Sequence, residues 1–171
     1  MAPLILVIGG ARSGKSRHAE QLIAEYPPPW IYVATAEALD DEMRARIAAH
    51  RNRRDGRWHT IEAPHALAVA VRDAPVRQPL LLDCLTLWLS NRLLADAEIE
   101  AEMGVLADAL AARTALTIVV SNEVGLGIVP DNALARRFRD LQGSLNQRIA
   151  ARADLVVFMM AGLPLVVKGT A

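Results

Sequence analysis

Short apolar runs recur along the chain, with stretches of helical spacing between them. Five of these runs are rich in branched residues and do not alternate with polar positions, which is typical of parallel strands buried on both faces. The clearest helical stretch has apolar residues every three or four positions, and Asp131 or Asn132 is its expected N-cap. The predicted strands are residues 4–8, 30–35, 79–84, 117–121 and 155–160.

Strands alternating with helices predict an α/β fold, a doubly wound sheet that is mostly parallel with helices on both faces. Residues 163–168 are expected to add a short hairpin strand. The length suits one compact domain, so we expect residues 1–171 to form a single domain. Ligand sites in such sheets lie at the C-terminal ends of the strands.

The turn after the first predicted strand carries the pattern of a phosphate-binding loop. A helix is expected to begin near Gly14, where Lys15 adds a full positive charge to the backbone N–H groups that surround the phosphates. Ser16 is the expected Mg²⁺ ligand through its hydroxyl. An ordinary glycine turn with a surface lysine is the alternative, and the strand before and the helix after disfavour it. The residues that match G-x-x-x-x-G-K-[ST] are Gly9, Gly10, Ala11, Arg12, Ser13, Gly14, Lys15 and Ser16. With this loop the predicted fold is P-loop NTPase-like, and residues 1–171 are expected to form a single nucleotide-binding domain.

A second acidic ligand for the metal is expected at the end of a neighbouring strand. Asp83 follows three leucines, a place where an unpaired carboxylate is costly to bury. We predict that Asp83 contacts the metal together with Ser16. The alternative is that Asp83 caps the helix that follows.

A histidine lies among arginines in the second predicted helix. Apolar residues at every fourth position predict that this helix runs over residues 40–54. Nearby guanidinium charges disfavour the imidazolium form, so a neutral His50 would be able to attack a bound α-phosphate. The alternative is an ordinary solvated cationic face. If the helix extends that far, the histidine and its arginines form one stripe along it, which consists of Arg46, His50, Arg53 and Arg54.

Composition narrows the class of protein. Basic and acidic side chains both number 19, so no general attraction to nucleic acid or to an anionic membrane is expected. Cys84 is the single cysteine, which excludes an internal disulfide and fits the cytoplasm. Apolar runs fall short of the roughly 20 residues that cross a bilayer, so no membrane span is expected.

Further motifs follow the phosphate loop in a fixed order. With them the chain resembles, over essentially its whole length, the bifunctional adenosylcobinamide kinase and adenosylcobinamide-phosphate guanylyltransferase family of cobalamin biosynthesis. The motifs are Ala34-Thr35, residues 39–43, Arg46-Ile47 leading to His50, residues 58–62, residues 121–130 and Asn146-Gln147.

The resemblance implies two reactions. Adenosylcobinamide would be phosphorylated on its aminopropanol hydroxyl by ATP or GTP, with Lys15 as a catalytic residue, and GMP from GTP would then be transferred through His50 onto adenosylcobinamide phosphate. It also implies a homo-oligomer, typically a trimer. A P-loop kinase of one small metabolite is the alternative.

The resemblance also places nucleotide contacts outside the phosphate loop. Glu62 is suited to reading the guanine N1–H and amino donors. Asn122 and Glu123, just past a predicted strand, are expected to orient the substrate hydroxyl, with Gly125 and Gly127 in a loop able to move. The implied nucleotide contacts are Thr35, Ala36, Glu37, Arg51, Asn52, Arg53, Arg54, Glu62 and Asp83.

Overall fold

The computed structural model of the protein describes residues 3–38, 41–52 and 54–170, and it describes the backbone alone at residues 42, 46 and 49–52. Helices and strands alternate along it, as the apolar pattern predicts. In chain order they are β1 (Leu4–Gly9), α1 (Lys15–Ala24), β2 (Trp30–Ala34), α2 (Asp41–Asn52), β3 (Trp58–Glu62), α3 (Leu67–Asp73), β4 (Leu80–Asp83), α4 (Leu85–Leu94), α5 (Ile99–Ala111), β5 (Thr117–Asn122), α6 (Ala133–Arg152), β6 (Leu155–Met160) and β7 (Leu163–Lys168).

The described strands form one sheet in the order β3-β2-β4-β5-β1-β6-β7. β7 runs antiparallel to β6, and the other neighbouring strands pair in parallel. Buried apolar side chains of α1 pack on one face of the sheet, and those of α3, α4, α5 and α6 pack on the other. The predicted doubly wound fold, including the antiparallel hairpin strand, is therefore confirmed.

Strand β3 is the strand that the apolar pattern does not predict. It lies at the edge of the sheet and pairs with β2, and its side chains at His59, Thr60 and Glu62 are exposed. An edge strand with polar side chains lacks the continuous apolar run of a central strand. Its register places Glu62 beside Ala34, at the carboxyl edge of the sheet.

Helix α2 is shorter than the predicted span of residues 40–54. It runs from Asp41 to Asn52, while residues 40 and 53 lie outside the described part of the chain. Arg54 is described and is not helical, so the prediction that it continues the helical stripe is wrong. The chain turns at this point because Asp55 accepts hydrogen bonds from the backbone and the side chain of Arg57, which leads directly into β3.

The N-terminus of α6 is capped by one of the two residues predicted for this role. The Oδ1 atom of Asn132 accepts a hydrogen bond of 2.8 Å from the N–H of Ala135, which satisfies one of the free donors of the first turn. Asn132 rather than Asp131 is therefore the cap.

The described helices include none with the length and apolar composition of a membrane span.

Candidate nucleotide-binding site

A cavity of about 1080 Å³ opens at the carboxyl ends of the central strands. This edge is where ligands bind in doubly wound sheets. Residues from the turn after β1, from the ends of β2, β4 and β5, and from α2 form its wall. The wall brings together many of the residues predicted from sequence: Ala11, Arg12, Ser13, Gly14, Lys15, Ser16, Ala36, Glu37, Arg54, Glu62 and Asp83.

The turn between β1 and α1 has the backbone of a phosphate-binding loop. Arg12 and Gly14 adopt left-handed conformations with φ of 54° and 95°, which bends the chain back so that α1 begins at Lys15. The loop is held from the side by the N–H of Gly162, which donates to the carbonyl of Ser13 at 3.0 Å. Consecutive N–H groups and a helix N-terminus in this arrangement form an anion site.

The Lys15 ammonium lies inside this loop rather than in solvent. Lys15 is 8% exposed, and its Nζ donates to the carbonyl of Gly10 at 2.5 Å and lies 3.5 Å from the Ser13 hydroxyl. Burial lowers the pKa of Lys15, while the nearby Cys84 and Asp83 act in the opposite direction. Both oxygen atoms that the ammonium contacts are neutral, so these contacts do not balance its buried positive charge. A bound phosphate oxygen would balance it.

A buried tyrosine joins two of the predicted binding residues. The hydroxyl of Tyr32 donates to Oδ2 of Asp83 at 3.2 Å, and the guanidinium carbon of Arg54 lies 3.6 Å from the centre of the Tyr32 ring. Burial, followed by the charge of Asp83, raises the pKa of Tyr32, so it remains a phenol that can donate. Nη1 of Arg54 is buried with no hydrogen-bond partner among the described residues.

Asp83 does not cap the following helix, which was the alternative to a metal contact. The N-cap of α4 is Cys84, with no side-chain cap bond, and Asp83 lines the cavity with Ser16. One carboxylate and one hydroxyl suit Mg²⁺, which binds few protein oxygens and completes its shell with water and phosphate. Among the described residues, no group of three or more His, Cys, Asp or Glu side chains gathers.

Thr35 is placed differently from the expectation of a nucleotide contact. It is fully buried, and its hydroxyl donates to the carbonyl of Cys84 at 2.7 Å and accepts from the Cys84 N–H at 2.9 Å. It therefore ties the end of β2 to the end of β4 beneath the cavity.

Burial and the charge of Asp83 raise the pKa of Cys84 to about 12, so its thiol is neutral and not a nucleophile at ordinary pH.

Glu37 is held on the cavity wall by a histidine for which the sequence gives no signal. Nε2 of His65 lies 2.8 Å from Oε1 of Glu37, and Nδ1 of His65 lies 3.4 Å from Nη1 of Arg92. Arg92 is fixed in turn by two hydrogen bonds to Glu102. Because the arginine can only donate, this arrangement favours the tautomer of His65 that carries its proton on Nε2. Glu37 follows β2 and His65 follows β3, so the parallel pairing of these two strands brings the two residues together.

The predicted nucleophile lies on a helix that forms part of the cavity wall. Met43 and Ile47 of α2 line the cavity, and the backbone of position 50 continues the same helix. The side chains of His50, Arg51 and Asn52 lie outside the described part of the structure, as does Arg53 entirely. Their predicted contacts therefore stay predictions.

Comparison with known proteins adds an independent line of evidence. The family profile described as cobinamide kinase / cobinamide phosphate guanyltransferase matches residues 5–167. The bifunctional adenosylcobalamin biosynthesis protein CobP of Pseudomonas aeruginosa is 50% identical, with 96% of each chain covered. The corresponding protein CobU of Salmonella typhimurium is 41% identical, covering 96% of this chain and 99% of its own.

A solved structure supports the fold alone. A protein from Pyrococcus horikoshii OT3 superposes with a TM-score of 0.54 at 9% identity, covering 99% of this chain and 87% of its own. The sequence relatives, in contrast, match along nearly their full length. Since the family profile also spans almost every residue, the chain belongs to the cobinamide kinase / cobinamide phosphate guanyltransferase family.

Proposed function

We propose that this protein phosphorylates adenosylcobinamide on its aminopropanol hydroxyl with a nucleoside triphosphate, and then transfers GMP from GTP onto that phosphate to give adenosylcobinamide-GDP. One observation carries the proposal: the phosphate loop, Asp83 and the helix that bears His50 surround one cavity in a chain of this family. Both reactions need a bound triphosphate, and the phosphate loop on the wall of this cavity suits its phosphates.

In the kinase step the protein mainly positions charge. The ammonium of Lys15 and the N–H groups of the loop stabilise the charge on the phosphoryl group as it is transferred. Ser16 and Asp83 would hold Mg²⁺, which neutralises phosphate oxygens when bound. Asn122, on the cavity wall at the end of β5, and Glu123 would orient the substrate hydroxyl.

In the transfer step His50 would act as a covalent carrier. A lone pair of its imidazole attacks the α-phosphorus of GTP, the bond to the bridging oxygen breaks, and pyrophosphate leaves with that electron pair. An oxygen of adenosylcobinamide phosphate then attacks the same phosphorus, and the P–N bond breaks to restore the histidine. The free Nη1 of Arg54 supports a role for this arginine in holding phosphate oxygens, beside the predicted contacts of Arg51, Asn52 and Arg53.

The remaining proposed contacts recognise the base and the ribose of the nucleotide. Glu62 would accept hydrogen bonds from N1–H and the amino group of guanine, and Glu37 would accept from the ribose hydroxyls. We further propose that the protein works in the cytoplasm as a homo-oligomer, with a trimer as the form that the family resemblance implies, and without nucleic acid as a partner.

The transfer step is tested by intact-protein mass spectrometry after incubation with GTP and Mg²⁺. The wild type and the control His59→Ala, which changes an exposed histidine of β3, should gain the mass of one GMP. His50→Ala should gain nothing and should still phosphorylate adenosylcobinamide. A wild type that phosphorylates the substrate but never gains GMP would favour the kinase of one small metabolite.

A further inference from the structure

Apolar side chains cluster in the segment between β5 and α6. Leu126 is 83% exposed, Ile128 is 97% exposed and Val129 is 61% exposed. Residues 124–130 contain no charged side chain. Single exposed apolar residues are ordinary, but several within one short segment mark a surface that binds something apolar.

The N-terminal end of this segment is attached to the phosphate loop. The N–H of Glu123 donates to the carbonyl of Gly9 at 3.0 Å. The N–H of Asn122 donates to the Thr86 hydroxyl at 2.9 Å, and the side chain of Asn146 donates to the carbonyl of Asn122 at 3.0 Å. The apolar residues therefore begin a few positions from the site of the triphosphate.

The C-terminal end of the segment is anchored as well. Nη1 of Arg136 donates to the carbonyls of Pro130 and Asp131 at 3.0 and 2.7 Å, and Asn132 caps α6. With both ends fixed, Leu126 and Ile128 remain exposed on a segment that follows the cavity-lining Asn122 by four and six residues.

The cavity is too small to hold both substrates. Pockets for one small ligand occupy about 300–1,000 Å³, and this cavity measures about 1080 Å³, so it has the size of a site for one such ligand. The reacting hydroxyl of adenosylcobinamide lies on a short arm of a corrin ring that is larger than a nucleoside. When that arm reaches the triphosphate, the ring must rest on the rim.

We infer that the segment of residues 124–130 is the surface on which the corrin ring of adenosylcobinamide rests, with Leu126 and Ile128 contacting its apolar edge. The inference relies on the proposed function for the identity of the acceptor. Burial of these side chains by the ring would contribute binding energy to the acceptor and none to GTP, because the nucleotide occupies the cavity beneath.

The test compares the double variant Leu126→Ser with Ile128→Ser against the control Leu94→Ser. Leu94 is 67% exposed, ends α4 and is not among the residues that line the cavity. Binding of adenosylcobinamide and of GTP is measured separately by equilibrium dialysis, and the molecular mass in solution by light scattering. The double variant should bind adenosylcobinamide about tenfold more weakly or worse, with GTP binding, GMP labelling and mass unchanged, and the control should match the wild type.

Two results would overturn the inference. In one, the wild type binds adenosylcobinamide and the double variant binds it equally well. In the other, the double variant falls to a smaller mass, which would assign the surface to a second copy of the chain. A wild type that binds no adenosylcobinamide at all contradicts the proposed function itself, so the two failures are distinguishable.

Discussion

At the scale of single residues, Tyr32 links the carboxylate proposed for the metal to an arginine proposed for the phosphates. The variant Tyr32→Phe removes the hydrogen bond to Asp83 and keeps the ring beneath Arg54. Since a hydrogen bond to a charged group contributes about 1.5–3 kcal/mol, we expect kcat of the kinase step to fall about tenfold. The Kd of GTP should change little.

A matched variant separates the two roles of the tyrosine. Tyr32→Leu removes the ring as well, so it should weaken GTP binding in addition to slowing phosphorylation. Steady-state kinetics and GTP titrations of both variants provide the comparison. If Phe and Leu at position 32 behave identically, the ring contributes nothing to the position of Arg54.

Lys15 is a second residue whose burial has a measurable consequence. Burial lowers its pKa from the ordinary 10.5, so the unfolded chain binds this proton more readily than the folded one. Stability of the free protein should therefore rise with pH between the folded pKa and 10.5. Lys15→Met should lose this rise and should not lower the free energy of unfolding at pH 7, because the desolvated charge is gone.

Lys15→Met should also bind GTP at least a hundredfold more weakly, because it removes the full positive charge inside the phosphate loop. Urea unfolding at several pH values and GTP titration are the measurements. A Lys15→Met protein that still binds GTP at wild-type affinity would contradict the role of the loop.

At the scale of elements, the phosphate loop depends on the close approach of β1 to β6. A Cβ on Gly9 would lie 2.5 Å from the carbonyl oxygen of Met159 and 2.9 Å from the Ser13 hydroxyl, whereas a Cβ on Gly10 would meet nothing within 4 Å. Gly9→Ala should therefore shift the loop and weaken GTP binding at least tenfold, while Gly10→Ala should stay near wild type. Isothermal titration of both with GTP tests this, and wild-type affinity in Gly9→Ala would show that the crowding at Gly9 is relieved.

The elements that the sequence predicts correctly are those with local signals. β1, the glycine turn and α1 follow from one apolar run, one motif and one helical pattern. β3 is missed because its polar side chains lie at the sheet edge, and the contact of Glu37 with His65 depends on packing between segments that are distant in the chain. Contacts of this kind depend on strand order and helix packing, which no short pattern encodes.

At the scale of the whole molecule, a buried arginine holds together the sheet edge opposite the cavity. Arg113 is buried and donates to the carbonyls of Val71, Ala74, Pro75 and Gln78. Burial lowers its pKa. Arg113→Met would leave these carbonyls unpaired, so we expect a loss of about 3 kcal/mol in the free energy of unfolding.

The control for this change is a surface arginine. Arg152 pairs with Asp108 where both side chains are substantially exposed, so Arg152→Met should cost less than about 1 kcal/mol. Urea denaturation measures both variants, and GTP affinity should be unchanged in each. A larger loss for Arg152→Met than for Arg113→Met would contradict this account of the fold.

The central claim is that GMP passes through His50 while the phosphate loop holds the triphosphate. The most direct measurement is a chase: protein labelled with [α-³²P]GTP is separated from free nucleotide and then given adenosylcobinamide phosphate. We predict that the label leaves the protein and appears in adenosylcobinamide-GDP, and that His50→Ala takes up no label at the start. Label that stays on the protein, or an active His50→Ala enzyme, would contradict the account.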